Sequence, residues 1–137
     1  MLIVATHVDD LKIAGEDWAV TLVFTALEKV FGPLTKSKGE FTNCGVRHIQ
    51  DPKTMTVTLD QTEYIKALIP IEHADMKGAP SDTQCSLVLQ QLYMSLLGAA
   101  AFCMLTRLDA AVFIVSLQRA TTTAQHIHIK RLNQVVK

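Results

Sequence analysis

The side chains in this sequence that could most readily take part in chemistry are two adjacent carboxylates, Asp9 and Asp10, in the stretch THVDDLKIAG. The apolar, β-branched run at residues 2–8 predicts a strand, and residues 11–14 predict its partner. The pair therefore falls at the tip of a predicted hairpin, where Asp is a favoured turn residue. A polar turn is the ordinary explanation for such a pair, and a metal site is the alternative.

The metal alternative has a definite chemistry. Phosphoryl and nucleotidyl transfer need Mg²⁺ held by hard oxygen ligands. A tight hairpin projects carboxylates from a rigid sheet into an open groove, where two metal ions about 4 Å apart activate the attacking oxygen and stabilise the leaving one. Such a site needs several carboxylates from more than one strand, so Asp9 and Asp10 would form only part of it.

Bulk composition is that of a globular protein. The chain has 137 residues, of which 49% are apolar and 19% charged, enough for one domain with a core. The formal net charge of +0 gives no general argument for nucleic acid or an acidic membrane. Residues 1–34 carry five acidic and two basic side chains, whereas residues 106–137 carry five basic and one acidic. An acidic start and a basic end suit a metal-plus-phosphate site, and they can equally arise by chance.

Cysteine usage and the apolar segments bear on the compartment. Cys44, Cys85 and Cys103 are odd in number, widely spaced and without a CxxC pair, which argues against zinc and disulfide frameworks and favours an intracellular compartment, cytoplasmic or nuclear. The first residues lack a basic region and do not resemble a signal peptide. The uncharged stretch 83–106 has a strongly apolar core only at 92–105, short of the ~20 residues of a membrane span. We therefore expect a buried helix and no membrane segment.

The first half of the chain predicts an α+β arrangement. Asp17 is expected to cap a helix that runs to residue 31 and stops at Gly32. Residues 41–49 and 55–59 predict a second hairpin. Its alternating residues Met55, Val57 and Leu59 suggest one buried face.

The second half predicts helices. Asp60 and Glu63 have the spacing of a capping box, followed by a short helix to about residue 69. Residues 70–86, with two prolines and a glycine, predict a linker. Three helices are then expected, with a break at residues 106–109. The predicted organisation is an α+β part at 1–69, a linker at 70–86 and a helical part at 87–137.

The stretch from His7 to Gly15 resembles the catalytic hairpin of reverse transcriptases, above all those of copia-type LTR retrotransposons, whose box usually reads Tyr-Val-Asp-Asp. Further matches follow in order. Cys44-Gly45-Val46 stands where the family has Leu-Gly-Ile, and LDQTEYI at 59–65 resembles its Leu-Ser-Gln-x-x-Tyr-Ile. The register of the family's Tyr-x-x-Leu-x-Gly and Thr-Arg-Pro-Asp is kept by Tyr93, Leu96, Gly98, Thr106, Arg107 and Asp109. The family's closing His…Lys-Arg helix is matched by His126, Lys130 and Arg131.

The resemblance covers essentially the whole chain and implies part of an RNA-directed DNA polymerase from a retrotransposon Pol polyprotein. The fold implied is a partial palm of two β-hairpins with helices, followed by a helical, thumb-like segment. Asp9 would be the main Mg²⁺ (or Mn²⁺) ligand and Asp10 its supporting acid in nucleotidyl transfer, with an RNA/DNA template-primer and dNTP as partners. His7 takes the place of the family's Tyr beside the site, where an imidazole can stack but also charge near neutral pH. Lys130 and Arg131 could contact template backbone, or simply be solvated.

The chain also departs from the family pattern. Leu108 replaces the Pro of Thr-Arg-Pro-Asp, Arg47 stands where Glu is frequent, and Met94 where Arg is frequent. The family's further catalytic aspartate and its fingers lie before the hairpin, so we expect these 137 residues to complete only part of the site. The alternatives are a non-catalytic transposon remnant or weak nucleic-acid-binding module, and a plain α+β domain with an incidental Asp-Asp turn.

Two other pairs of side chains could take part in binding. His126 and His128 would point about 200° apart on a helix and could share a metal only on a strand, and we expect a helix. Trp18 and Tyr64 could stack on bases. Both stand at predicted helix starts beside apolar runs, where packing is their ordinary role.

We expect the isolated 137 residues to extend no primer, because one hairpin of carboxylates closes only part of a two-metal site. A primer-extension assay with Mg²⁺ and a labelled primer-template measures this directly. Template-dependent extension by the purified chain would contradict the expectation.

Overall fold

The structure, a computed structural model, describes residues 1–8 and 10–137. Across these residues there are five α-helices and two small antiparallel sheets, one of two strands and one of three. The α+β class predicted from the sequence is therefore confirmed. The chain divides into two units, Met1–Thr58 and Leu59–Lys137.

The first unit begins with the predicted hairpin. Strands β1 (Leu2–His7) and β2 (Asp10–Gly15) are antiparallel, with a register that runs from Leu2 opposite Gly15 to His7 opposite Asp10. Asp10 is thus the first residue of a strand, not a turn residue, whereas Asp9 lies outside the described residues. Gly15 is needed at the other end of the hairpin, since a Cβ there would lie 2.8 Å from Leu2 Cδ1 and 2.9 Å from the Met1 carbonyl oxygen.

Helix α1 (Asp17–Phe31) follows the hairpin as predicted. The predicted N-cap is wrong by one position, because Asp17 is already helical and Glu16 is the flanking residue with extended backbone. The Glu16 carboxylate accepts a hydrogen bond from Trp18 Nε1 at 2.7 Å, which lowers the pKa of Glu16. Gly32 ends the helix with a φ of +81°, a conformation that glycine adopts at little cost.

A three-stranded sheet follows helix α1. It consists of β3 (Glu40–Asn43), β4 (Val46–Gln50) and β5 (Val57–Asp60), in the order β3-β4-β5. The prediction of one strand at 41–49 is wrong. Cys44 and Gly45, with φ of +48° and +75°, form a two-residue turn of the kind that joins the strands of a tight hairpin.

The predicted buried face of β5 is also wrong. Met55, Val57 and Leu59 are exposed by 65%, 52% and 45%. Alternation shows which side chains share a face of a strand, but it does not show whether another element covers that face. Here the shared face is open.

The second unit starts with a turn that differs from the predicted capping box. Asp60 Oδ1 accepts hydrogen bonds from the Thr62 backbone N–H at 2.9 Å and from Thr62 Oγ1 at 2.6 Å. Helix α2 (Thr62–Lys66) therefore begins one residue later than predicted, and it ends before residue 69. The Glu63 carboxylate pairs with Lys66 at 2.9 Å.

Residues 59–69, which the sequence grouped with the first part, belong to the second unit. Gln61 is only 3% exposed, and its Oε1 accepts a hydrogen bond from Thr106 Oγ1 at 2.9 Å. The Tyr64 ring packs edge-on against Phe102, with 5.1 Å between ring centroids. These packing partners, which hydrophobic periodicity cannot identify, place the segment with the helices.

Three longer helices form the core of the second unit, as predicted, although each is shorter. They are α3 (Leu87–Phe102), α4 (Ala111–Gln118) and α5 (His126–Val135). The break between α3 and α4 contains two short 3₁₀ turns, Cys103–Leu105 and Leu108–Ala110. The side chains that form the centre of the core are less than 2% exposed: Leu89, Tyr93, Ile114, Ile129 and Leu132.

The predicted linker at 70–86 is tied closely to this core. The Asn133 amide donates to the Ile71 carbonyl and accepts from the Ile71 N–H, both at 2.8 Å. Residues 81–85, which we call the strap, run beside residues 124–127. The Cys85 N–H donates to the Ala124 carbonyl at 3.0 Å, and two amides at the start of α5 donate back to the strap. The strap therefore satisfies backbone groups at a helix start that would otherwise need other partners.

One apolar segment among the described residues, Leu87–Leu105, is long and apolar enough to cross a membrane by length and composition. About one third of it, 33%, is buried in the structure. Its helix α3 contributes Leu89, Tyr93 and Leu97 to the core, as the expected buried helix would. Because core helices meet the same criterion, the segment is only weak evidence for a membrane span.

Replacing Tyr93 by Phe should lower the free energy of unfolding by about 1 kcal/mol. The Tyr93 side chain is fully buried, and its hydroxyl donates to the Leu117 carbonyl at 2.7 Å. That carbonyl keeps a second donor, the Ala120 N–H at 3.0 Å, which limits the loss. Urea denaturation followed by circular dichroism measures the change. The matched control is Tyr64→Phe at the other, half-buried tyrosine, for which equal destabilisation would contradict the argument.

Candidate functional site

The exposed end of the first hairpin holds two of the predicted site residues. His7 and Asp10 face each other across β1 and β2, and both are exposed. Directly paired residues of antiparallel strands project from the same face of the sheet. The structure thus places the imidazole and one carboxylate side by side, whereas Asp9, the predicted main ligand, lies outside the described residues.

Backbone strain marks the same end of the hairpin. Val8 has a φ of +55° and is 92% exposed. The left-handed region costs an ordinary residue about 1–2 kcal/mol, and for a β-branched side chain it is a clear outlier. Cys44 and Met55 have similar φ values of +48° and +59°, so this conformation is characteristic of tight turns in this unit and does not by itself indicate a function.

Lys12 lies on the same face of the hairpin, because side chains two residues apart in a strand point the same way. Its ammonium nitrogen is 2.6 Å from Nε2 of His48 on strand β4. The His48 side chain is 6% exposed, and its ring stacks on Phe41 with 5.0 Å between centroids and an interplanar angle of 6°. A buried imidazole thus holds the lysine next to Asp10 along β2.

The hydrogen bonds of His48 define its tautomer. Nδ1 lies 2.9 Å from the Val46 carbonyl oxygen, which can only accept, so Nδ1 carries the proton. Nε2 is then the bare nitrogen that accepts from the Lys12 ammonium. His48 is neutral in this arrangement and the positive charge resides on Lys12.

The described side chains do not by themselves fit a magnesium site. Within residues 1–8 and 10–137, no three His, Cys, Asp or Glu side chains come together in a way that could hold a metal ion. Asp10 offers one carboxylate at the open end of the hairpin. A magnesium site would need further oxygen ligands beside Asp10.

The two basic residues predicted to contact nucleic acid lie on α5. Lys130 Nζ donates to Ser81 Oγ of the strap at 3.0 Å, and Arg131 is exposed on the next position of the helix. Successive residues of a helix point about 100° apart, so the two cations do not form one compact anion site. Lys130 has a protein contact that solvation alone would not require.

The histidines of the same helix have separate environments. The predicted helix at His126 and His128 is confirmed. The His126 side chain is 2% exposed, and among the described residues its Nδ1 has no hydrogen-bond partner. His128 Nδ1 accepts from the Gln125 N–H at 2.9 Å and caps the helix start. Burial, with a smaller effect of the nearby Arg131 charge, lowers the pKa of His128.

Several residues that carry the family resemblance have structural positions in the second unit. Tyr93 and Gln61 are buried and hydrogen-bonded, and Thr106 is the partner of Gln61. Arg107 and Asp109 form a two-bond ion pair, Nε to Oδ1 at 2.8 Å and Nη2 to Oδ2 at 2.6 Å. That hydrogen bonding lowers the pKa of the Asp109 carboxyl. Tyr93 and Gln61 are therefore part of the packed interior, whereas Arg107 and Asp109 form an exposed ion pair.

Lys12 and His48 were missed in the sequence. The position of Lys12, two residues after Asp10 in a predicted strand, was a usable signal, because such residues share a face. His48 had no comparable signal. Its contact with Lys12 joins two separate sheets, and sequence spacing does not reveal that kind of contact.

Stability should fall as the pH is lowered below about 6.5, in part because of His128. Its folded pKa lies below the ordinary value of 6.5, so the unfolded chain takes up the proton first as the pH falls. The contribution of His128 to the free energy of unfolding is fully present above the pKa of the unfolded chain. It is lost as the pH falls from that value toward the pKa of the folded protein. His128→Asn keeps an acceptor for Gln125 without titrating, and should flatten the dependence of the unfolding free energy on pH between 7.5 and 5.5. The control is His7→Asn, which removes an exposed histidine. If His128→Asn leaves the pH dependence of the unfolding free energy the same as in the wild type, the prediction is contradicted.

No protein-family model matches the chain, and neither a curated protein nor a solved structure matches it.

Proposed function

We propose that this chain is part of a reverse transcriptase of the copia-type retrotransposon class, in which Asp9 and Asp10 supply carboxylates to a Mg²⁺ site for nucleotidyl transfer. The observation that carries the proposal is the β1–β2 hairpin, whose paired His7 and Asp10 stand at its exposed end. Asp9 precedes Asp10 in the sequence and lies outside the described residues. The reaction class follows from the ligand chemistry, since Mg²⁺ prefers hard oxygen donors.

The order of elements supports the same proposal. A hairpin, a long helix and a small sheet precede a helical unit, in the order in which the family's motifs occur along the chain. The residues that match those motifs in the helical unit are buried or paired, among them Tyr93, Gln61 and Arg107. Buried or paired positions of this kind support the proposal, because they are where a motif that specifies packing would be expected.

The proposed partners are an RNA or DNA template-primer and a dNTP, and the remaining ligands of the two-metal site would come from a further strand. Lys130 and Arg131 on α5 are the proposed contacts to template backbone. Cationic contacts to phosphate release counterions, which makes such binding weaken steeply with salt. A basic side chain that touches backbone phosphate would therefore change the salt dependence when removed.

Binding of Mn²⁺ to the hairpin tests the proposal. Mn²⁺ should broaden the backbone amide signals of His7 and Asp10 in the NMR spectrum, because unpaired electrons relax nearby nuclei. Asp9→Asn and Asp10→Asn should each weaken this broadening strongly, since each removes a charged oxygen ligand. The matched control is Asp82→Asn, an exposed aspartate in the second unit. Broadening that is equal in all four proteins, or centred elsewhere, would contradict the proposed site.

The second candidate is a non-catalytic transposon remnant that binds nucleic acid weakly. It is favoured by the absence, among the described residues, of three side chains that could hold a metal together. In this case Mn²⁺ would not bind at the hairpin, whereas Lys130→Ala with Arg131→Ala would still weaken and flatten the salt-dependent binding of an oligonucleotide. The reading frame upstream of Met1 separates the candidates further, since a continuation with a second acidic strand favours the polymerase and stop codons favour the remnant.

A further inference from the structure

We propose that Lys12, held in place by His48, is a phosphate-binding residue of the hairpin. The ligand would be the polyphosphate of a nucleotide or the phosphodiester of a nucleic-acid end, which share the same anionic oxygens. The inference rests on the proposed function, because nucleotidyl transfer would bring a phosphate group close to Asp10. The contact that carries it is the 2.6 Å approach of Lys12 Nζ to His48 Nε2.

The position of Lys12 suits an anion that reaches the open end of the hairpin. Asp10, Lys12 and His7 project from one face, since Asp10 and Lys12 are two residues apart and His7 is paired with Asp10. Residues two apart in a strand are about 6.6 Å from each other along the chain. A cation at that distance offsets the repulsion between the carboxylate and an incoming phosphate.

Among the described residues, one partner of the Lys12 ammonium group is observed, and it is His48. A lysine ammonium carries three N–H donors, and the neutral imidazole of His48 takes one of them. The Lys12 residue is exposed. Two donors with a full positive charge therefore remain for phosphate oxygens, for which charge-assisted hydrogen bonds are the strongest type available.

His48 fixes the position of that charge. Its ring is 6% exposed, its Nδ1–H donates to the Val46 carbonyl at 2.9 Å, and it stacks on Phe41. A free lysine loses side-chain entropy when it binds an anion. Because the imidazole already restrains Lys12, less of that entropy is lost when a phosphate binds. His48 is thus a positioning residue, and Lys12 is the residue that touches the ligand.

Alternative uses of this pair are less well supported. A solvated surface lysine would have no reason to approach a buried, neutral histidine, because water solvates an ammonium better than one imidazole does. A purely structural link would explain the contact itself, but not why the remaining charge lies on the face shared with Asp10 and His7. Phosphate binding explains both.

The probe for this site is inorganic triphosphate without divalent cation, titrated at low ionic strength, where charge interactions are least screened. Lys12→Gln keeps a donor for His48 and removes the charge, so it should raise the dissociation constant at least about fivefold. Lys53→Met removes an exposed lysine from a turn of the same unit and should change it less than twofold. Thermal melting of each variant shows whether the unit remains folded.

The role of His48 has its own pair of variants. His48→Phe retains a flat ring against Phe41 but has no acceptor, so the affinity for triphosphate should fall. His48→Gln offers an amide oxygen near the position of Nε2 and should restore at least part of it. A structural role alone would predict that both variants change melting temperature without this split in affinity. Should His48→Phe fail to fold, the comparison of Lys12→Gln with the wild type decides the question.

The outcomes separate this inference from the proposed function. Equal affinity of wild type and Lys12→Gln for triphosphate overturns the phosphate role, even where Mn²⁺ still binds at Asp10. Loss of triphosphate affinity in Lys12→Gln without any Mn²⁺ binding keeps the phosphate site and removes the polymerase proposal. A second titration, with a short single-stranded oligonucleotide carrying a 5′-hydroxyl, distinguishes the sources. Lys12-dependent binding of triphosphate alone indicates a nucleotide, and equal dependence for the oligonucleotide indicates a nucleic-acid backbone.

Discussion

The hydrogen bond from the Tyr93 hydroxyl to the Leu117 carbonyl is the interaction around which the helical unit is organised. It joins α3 to the last turn of α4, where the Leu117 carbonyl also accepts from the Ala120 N–H just beyond the helix. The tyrosine is fully buried among apolar side chains, and its burial raises the pKa of the phenol. A buried hydroxyl without this acceptor would carry a desolvation cost, so the bond fixes how the two helices face each other.

Much of the fold was predictable because it depends on local pattern. The first hairpin, helix α1 and the three later helices follow from apolar runs, helical spacing and glycine stops. The errors have a common cause, which is that the competing signals are tertiary or stereochemical. The turn at Cys44 needs left-handed backbone at a residue type that rarely adopts it, and the exposed face of β5 depends on which neighbours cover it.

The candidate site divides in the same way. Asp10 and His7 could be identified from the sequence because they are three residues apart, the separation of two residues paired at the end of a tight hairpin. Lys12 and His48 are 36 positions apart in the chain, and they lie on different sheets. Their contact therefore depends on the tertiary structure and cannot be predicted from local spacing. The motif residues of the second unit are a different case. Tyr93, Gln61 and Thr106 can be recognised from the motif, but what they determine is packing. Motif order is therefore a guide to fold first and to chemistry only at the hairpin.

The strap has a consequence for the speed of folding. Residues 81–85 join residues 124–127 by backbone hydrogen bonds, and α3 and α4 lie between them in the chain. This loop must close, at an entropic cost, before the start of α5 gains its partners. Local helix formation takes around a microsecond or less, whereas contacts between distant parts of a chain slow folding. The helical unit should thus fold more slowly than a three-helix bundle without such a long-range contact. If the chain is cut between α3 and α4, the backbone hydrogen bonds of the strap offer a way for the two fragments to reassociate.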